Sequence, residues 1–136
     1  MQPSDETVND ELSVSDQPLM NFDQALIDLA KFTTYSLSPQ HPQNQGKAWA
    51  FKQLGYDVET PQGRTVAAQD LVSQLRSKLK TSPALLDRET TYGARYMVKS
   101  KVLGPNGKTG TLVTIWQYDI GTHVPRLLTN WLQVRM

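Results

Sequence analysis

The chain of 136 residues contains no cysteine. That excludes a disulfide framework, a thiolate zinc site and thiol nucleophiles, and it favours a reducing compartment. Histidine is nearly as scarce: His41 and His123 are the two imidazoles, far apart in sequence and without nearby carboxylates at a spacing that would complete a metal site. Long apolar runs are missing too, since none approaches the ~18 residues of a membrane-spanning helix. The polar, acidic start MQPSDETVND has neither the basic nor the apolar part of a secretion signal. A soluble cytoplasmic chain with no membrane partner is the expectation. Phosphate-cradling glycine loops, zinc-spaced histidine pairs and nucleophile-elbow serines do not occur, so the sequence calls for no cofactor and no metal.

Positive charge is absent from the acidic start of the chain. Residues 1–20 carry Asp5, Glu6, Asp10, Glu11 and Asp16 and no Lys or Arg. The formal net charge of +1 therefore conceals a modestly basic remainder, in which fourteen basic residues face eight acidic ones. Such a surface attracts polyanions, and is also common in proteins that bind none. Residues 1–20 have no aromatics and no apolar period, so they cannot offset an ordering entropy of ~1–2 kcal/mol per residue. They read as a disordered acidic tail, and residues 21–136 as a single α+β domain.

Within that domain the apolar period changes once. Asn21 and Gln24 have capping-box spacing, and Phe22, Leu26, Leu29 and Ala30 fall near one helical face, which predicts a short helix over 22–31. Residues 32–37 are too short and mixed to assign and read as irregular but buried. A second helix over 43–54 follows, with Ala48, Phe51 and Leu54 on one face, Trp49 beside them, and Gly55 at its end. Pro61-Gln62-Gly63 reads as a break, after which Ala68, Leu71, Val72, Leu75 and Leu79 recur at helical spacing behind Thr65 as N-cap. From Thr91 the composition turns to Tyr, Val, Thr, Ile and Trp. Three strands are predicted, over about 91–102, 111–118 and 126–134, joined by Gly104-Pro105-Asn106-Gly107 and by residues 121–125. The fold class is α+β, about three N-terminal helices packed on a three- to four-stranded antiparallel meander.

Chemistry-bearing residues are few. His41 and Lys47 lie around the start of the second helix, Arg95 on the first strand and Thr129 on the last; these four are the candidate catalytic residues. Tyr92, Arg126 and Trp131 are candidate substrate-binding residues. Each also has a purely structural reading: His41 as a turn residue, Lys47 as a solvated helix former, Arg95 as a cross-strand partner, Trp116 and Trp131 as core or half-core. RNA cleavage by the neighbouring 2′-hydroxyl needs a base, an acid and fixed cations at the phosphorane, and no metal. His41 supplies a base or acid, Lys47 and Arg95 hold phosphate, Thr129 donates a hydrogen bond, and Tyr92 or Trp131 stacks on a base. The other reading is a noncatalytic module that binds a protein partner through its last strand, where Leu127, Leu128, Trp131 and Leu132 leave an apolar edge. Convergence of His41, Lys47, Arg95 and Thr129 in one concave site favours the nuclease; dispersal favours the module.

His41-Pro42, Gly46-Lys47-Ala48, Phe51 and Leu54-Gly55-Tyr56 resemble the opening of a family of small bacterial domains of unknown function. Tyr92-Gly93-Ala94-Arg95-Tyr96, the Gly-Pro-Asn-Gly turn, Trp116, Pro125-Arg126-Leu127 and Thr129 resemble its later half, in the same order. The resemblance covers about residues 26–134. More coarsely, helices followed by an antiparallel meander are similar to the compact ribonuclease toxins of the barnase, EndoU and RelE kind, which implies metal-independent RNA cleavage. The sheet of such nucleases implies a fourth strand, for which residues 32–37 are the available segment.

Overall fold

The computed structural model describes residues 17–41 and 45–135. The expected disordered tail falls, for residues 1–16, outside the described residues. Its expected end at residue 20 lies within packed chain: Leu19 is buried in the core, and the Gln17 carbonyl accepts the Ala84 N–H at 2.9 Å.

Among the described residues two α-helices are built, α1 over Gln45–Gln53 and α2 over Pro61–Leu79. The presumed break at Pro61-Gln62-Gly63 is the first turn of α2. Proline suits that position because its fixed φ is helical and no N–H is required there. Thr60, rather than Thr65, is the N-cap; its hydroxyl accepts the Gly63 N–H at 2.9 Å. Ala67, Ala68, Leu71, Leu75 and Leu79 form the buried stripe. In α1, Ala48, Ala50 and Phe51 are buried, while Trp49 turns outward. Gly55, at φ 93°, ends this segment and lies against Asn106 of the Gly-Pro-Asn-Gly turn. Only a residue without a Cβ adopts that φ cheaply.

The helix expected over 22–31 does not form. Phe22–Gln24 is one 3₁₀ turn, and Asn21, in the left-handed region at φ 60°, donates its side-chain amide to the His123 carbonyl rather than capping a helix. Leu26 then leaves helical geometry: its N–H donates to Pro125 O and its carbonyl accepts from Leu127 N–H, a parallel bridge on the sheet edge. Residues 32–37 are buried, as expected, at Phe32, Ser36 and Leu37, but Phe32–Ser36 is a π-helical turn and not a strand. Ser36 donates to Asn130 Oδ1 at 2.7 Å, and Asn130 Nδ2 donates to Lys31 O, pinning this turn to the sheet.

The sheet has four antiparallel strands in the order β1 (Ala84–Thr90), β2 (Gly93–Leu103), β3 (Thr109–Asp119) and β4 (Arg126–Gln133). The last three match the predicted meander. The fourth strand is β1, in place of residues 32–37. Leu85 through Glu89 are all exposed, so β1 lacks the alternation that marks a half-buried strand.

One sheet face packs the helices through Val98, Val102, Leu112, Trp116, Leu127 and Leu132, together with Phe32, Phe51 and the α2 stripe. Half of the apolar edge expected on β4 is therefore consumed, with Leu127 and Leu132 in the core and Leu128 and Trp131 half-buried. The opposite face carries Arg95, Met97, Lys99 and Lys101 from β2, and Val113, Ile115 and Gln117 from β3. A bulge between Ile115 and Trp116 puts Thr129 opposite Ile115 and Arg126 opposite Gln117, so Arg126, Thr129 and Trp131 share this second face. Among the described residues no helix is long and apolar enough to cross a membrane.

Candidate functional site

The π-helical turn, α1 and β4 meet where the second sheet face reaches its edge. Tyr35 comes from the turn, Lys47 from the third position of α1, and Thr129 and Trp131 from β4 beyond the bulge. The Lys47 ammonium donates to the Tyr35 hydroxyl at 2.8 Å and lies 5.9 Å from the centroid of the Trp131 ring. The His41 ring meets the Tyr35 ring edge-on, with centroids 5.0 Å apart. Thr129 Oγ1 is a buried hydroxyl without a completed hydrogen bond.

These neighbours shift the phenol. The hydrogen bond from Lys47 lowers the Tyr35 pKa below its ordinary 10.0 against the opposing effect of burial, and the charge of Lys47 and the nearby Thr129 hydroxyl act in the same direction. Because the phenol oxygen accepts from Lys47, its own hydrogen is free to point elsewhere. The cluster thus offers an acidified hydroxyl, an imidazole, a fixed cation and an unspent hydroxyl, with Trp131 beside them. Among the described residues no group of three or more His, Asp or Glu is placed to hold a metal.

Of the four residues proposed as catalytic, His41, Lys47 and Thr129 converge on Tyr35. Arg95 does not join them. Its Nε donates to Gln117 Oε1 at 3.0 Å, and Gln117 Nε2 donates to Asp119 Oδ1 at 2.6 Å. Asp119 in turn accepts two bonds from Arg126, each 2.9 Å. The Arg126 guanidinium, followed by the Gln117 amide, pulls the Asp119 pKa down to about 2, and the hydrogen-bonded Asp119 carboxylate in turn raises that of Arg126. Tyr92, exposed in the β1–β2 turn, lines a cavity of about 520 Å³ with Arg95, Gln117, Asp119 and Arg126. The predicted substrate-binding set is therefore split, with Trp131 beside Lys47 and Tyr92 and Arg126 beside Arg95.

Sequence reasoning missed Tyr35, Gln117 and Asp119. Tyr35 had no local signal, because its segment lacks a clear period. Asp119 and Arg126 flank the β3–β4 turn, and opposite charges placed across a hairpin are the pattern that would have found them.

A family model described as "Domain of unknown function (DUF6883)" matches residues 18–134. No curated protein matches the chain. A solved structure described as a contact-dependent growth inhibition toxin–immunity protein complex from Klebsiella pneumoniae 342 contains a chain similar to this one. The TM-score is 0.57 at 17% identity, covering 80% of this chain and 100% of that one. At that identity the likeness is one of fold.

Proposed function

The chain belongs to the family of domains of unknown function DUF6883, and from its site we propose that it is a toxin-like domain that cleaves RNA without a metal. The observation that carries this reading is the convergence of His41, Lys47 and Thr129 on the acidified Tyr35, at the edge of a sheet face rich in Arg and Lys. Likeness in fold to a chain of a toxin–immunity complex supports the toxin-like part.

The chemistry follows from the placement. His41 takes the proton of the 2′-hydroxyl, and the freed oxygen attacks the adjacent phosphorus. The bond from phosphorus to the 5′-oxygen breaks, and that oxygen takes the Tyr35 proton, leaving a 2′,3′-cyclic phosphate and a 5′-hydroxyl. Lys47 and the Thr129 hydroxyl stabilise charge on the phosphorane oxygens, and Lys47 also keeps the phenol acidic. Trp131 offers a ring for a neighbouring base.

Purified protein is expected to cut RNA in the presence of chelator and to leave cyclic phosphate ends. His41→Ala and Tyr35→Phe should each slow cleavage by about 10²–10⁴-fold. Full activity in the double variant would reject the site, and absence of both cleavage and RNA binding at low salt would reject the function. A noncatalytic protein-binding module is the second reading. It draws on the neighbouring structure, which is described as a complex of two proteins, one of them an immunity protein. Retained partner binding with no effect on RNA would favour it.

A further inference from the structure

We propose that the sheet carries a second subsite, separate from the Tyr35 cluster, where Arg95 and Arg126, with Arg88 next to them in the same row, bind an acceptor-bearing group of the RNA about one nucleotide from the bond cut. The proposal rests on the RNA-cleaving reading above and deepens it.

One row of the sheet runs across all four strands as Arg88–Arg95–Gln117–Arg126, since Arg88 pairs with Arg95, Arg95 with Gln117 and Gln117 with Arg126. Directly opposed residues project to the same face, so three guanidinium groups line up there. Like charges placed opposite each other, as in Arg88 and Arg95, cost stability and gain nothing unless an anion lies between or above them. The nearby carboxylates do not cancel the row. Asp119 binds Arg126, and Asp87 reaches the Arg88 Nε only at 4.0 Å.

Two of the three arginines, Arg95 and Arg126, are also held in place. Gln117 is 3% exposed, and it orients Arg95 through one side-chain atom and Asp119 through the other. Asp119 then fixes Arg126 with two bonds. The Asp119 carboxylate is occupied by these donors, whereas the terminal nitrogens of Arg95 and Nη1 of Arg126 make no hydrogen bond among the described residues. A cavity of about 520 Å³ bordered by these forks, with exposed Tyr92 and Ile120 as apolar walls, is rich in donors and poor in free acceptors. Its ligand must present acceptors. A backbone phosphate does so, and so does the O6/N7 edge of guanine, which arginine binds through two parallel bonds.

Placement relative to the cleavage site follows from the register. Thr129 pairs with Ile115 and Arg126 with Gln117, so the row lies two residues along β3, about 7 Å at the rise of a strand. That is comparable with one extended sugar–phosphate repeat.

The test compares wild type and Arg95→Gln on short RNAs altered next to the scissile bond. One RNA carries a neutral methylphosphonate in place of the flanking phosphate, and another carries 7-deazaguanine in place of guanine. Wild type should lose about tenfold or more in kcat/KM on one of the two, which identifies the phosphate or the base as the ligand. Arg95→Gln, checked for an unchanged melting temperature, should not distinguish that RNA from its parent. Equal discrimination by both proteins, or none by wild type, overturns the subsite. A 2′-deoxy oligonucleotide, which cannot be cleaved by its own 2′-hydroxyl, separates the two proposals. NMR shifts of the Arg95 Nε–H on titration report the subsite even if the protein cuts no RNA, and an unmoved signal with RNA cleavage intact rejects the subsite alone.

Discussion

Thr129 gives the sharpest separation of stability from function at the scale of a single residue. The buried Thr129 hydroxyl faces Tyr35 closely enough to lower its pKa but completes no hydrogen bond of good geometry, so it stabilises the fold little. Valine has nearly the same shape without its desolvation cost of about 1–3 kcal/mol. Thr129→Val is therefore expected to leave the melting temperature unchanged or raised, while RNA cleavage falls by about 10²-fold, the loss typical of removing one donor to a developing anion. A fall in both would make Thr129 structural. Asp119 gives a pH prediction. Its folded pKa, about 2, lies below the ordinary 3.8, so the folded state binds fewer protons than the unfolded one between these values. The Arg126–Asp119 pair thus contributes stability above about pH 4 and loses it as pH falls through about 2. Both side chains are about two-fifths exposed, at 40% and 41%, so solvent screens the pair and keeps its contribution small. NMR titration of the Asp119 carboxyl should give the low midpoint in wild type and a value nearer the ordinary one in Arg126→Gln.

Elements were legible where their signals are local. The stripe of α2 and the alternation and turn residues of β2, β3 and β4 lie within short windows, and the structure keeps them within a few residues of the expected bounds. α2 starts earlier than its apolar period predicts because Pro61 and Gly63 have the character of breakers, although a proline directly after an N-cap threonine begins a helix. Thr60→Ala removes the hydroxyl that accepts the Gly63 N–H and is expected to cost about 1 kcal/mol, read from urea unfolding. Thr65→Ala, inside the helix, should cost little. Two elements were illegible for a shared reason. β1 has no alternation because it is an exposed edge strand, and the helix over 22–31 is lost because Leu26 bonds with Pro125 and Leu127. In both cases partners distant in sequence decide the conformation.

For the molecule as a whole, the excess of basic residues becomes directional. Arg95, Lys99 and Lys101 of β2 share the face that also holds Arg126, and Lys47 reaches its edge. RNA binding should then weaken steeply with salt, because each neutralised phosphate releases counterions. Lys99→Gln and Lys101→Gln together are expected to lower the slope of log affinity against log salt by about 1 to 2, measured by filter binding or fluorescence anisotropy. An unchanged slope would mean that polyanions bind elsewhere.

By itself the sequence determined the α+β class, the family, the meander and the residue types available for catalysis, because composition, period and turn chemistry act over a few neighbouring residues. It also supplied His41, Lys47 and Thr129. Only the tertiary structure recruited Tyr35 to them, moved Arg95 into a separate row with Arg88 and Arg126, and set a bulge that turns Thr129 and Arg126 to one face. Those outcomes depend on strand register and on which segments cover the sheet edge. Both are set by contacts between residues far apart along the chain, which no local pattern encodes.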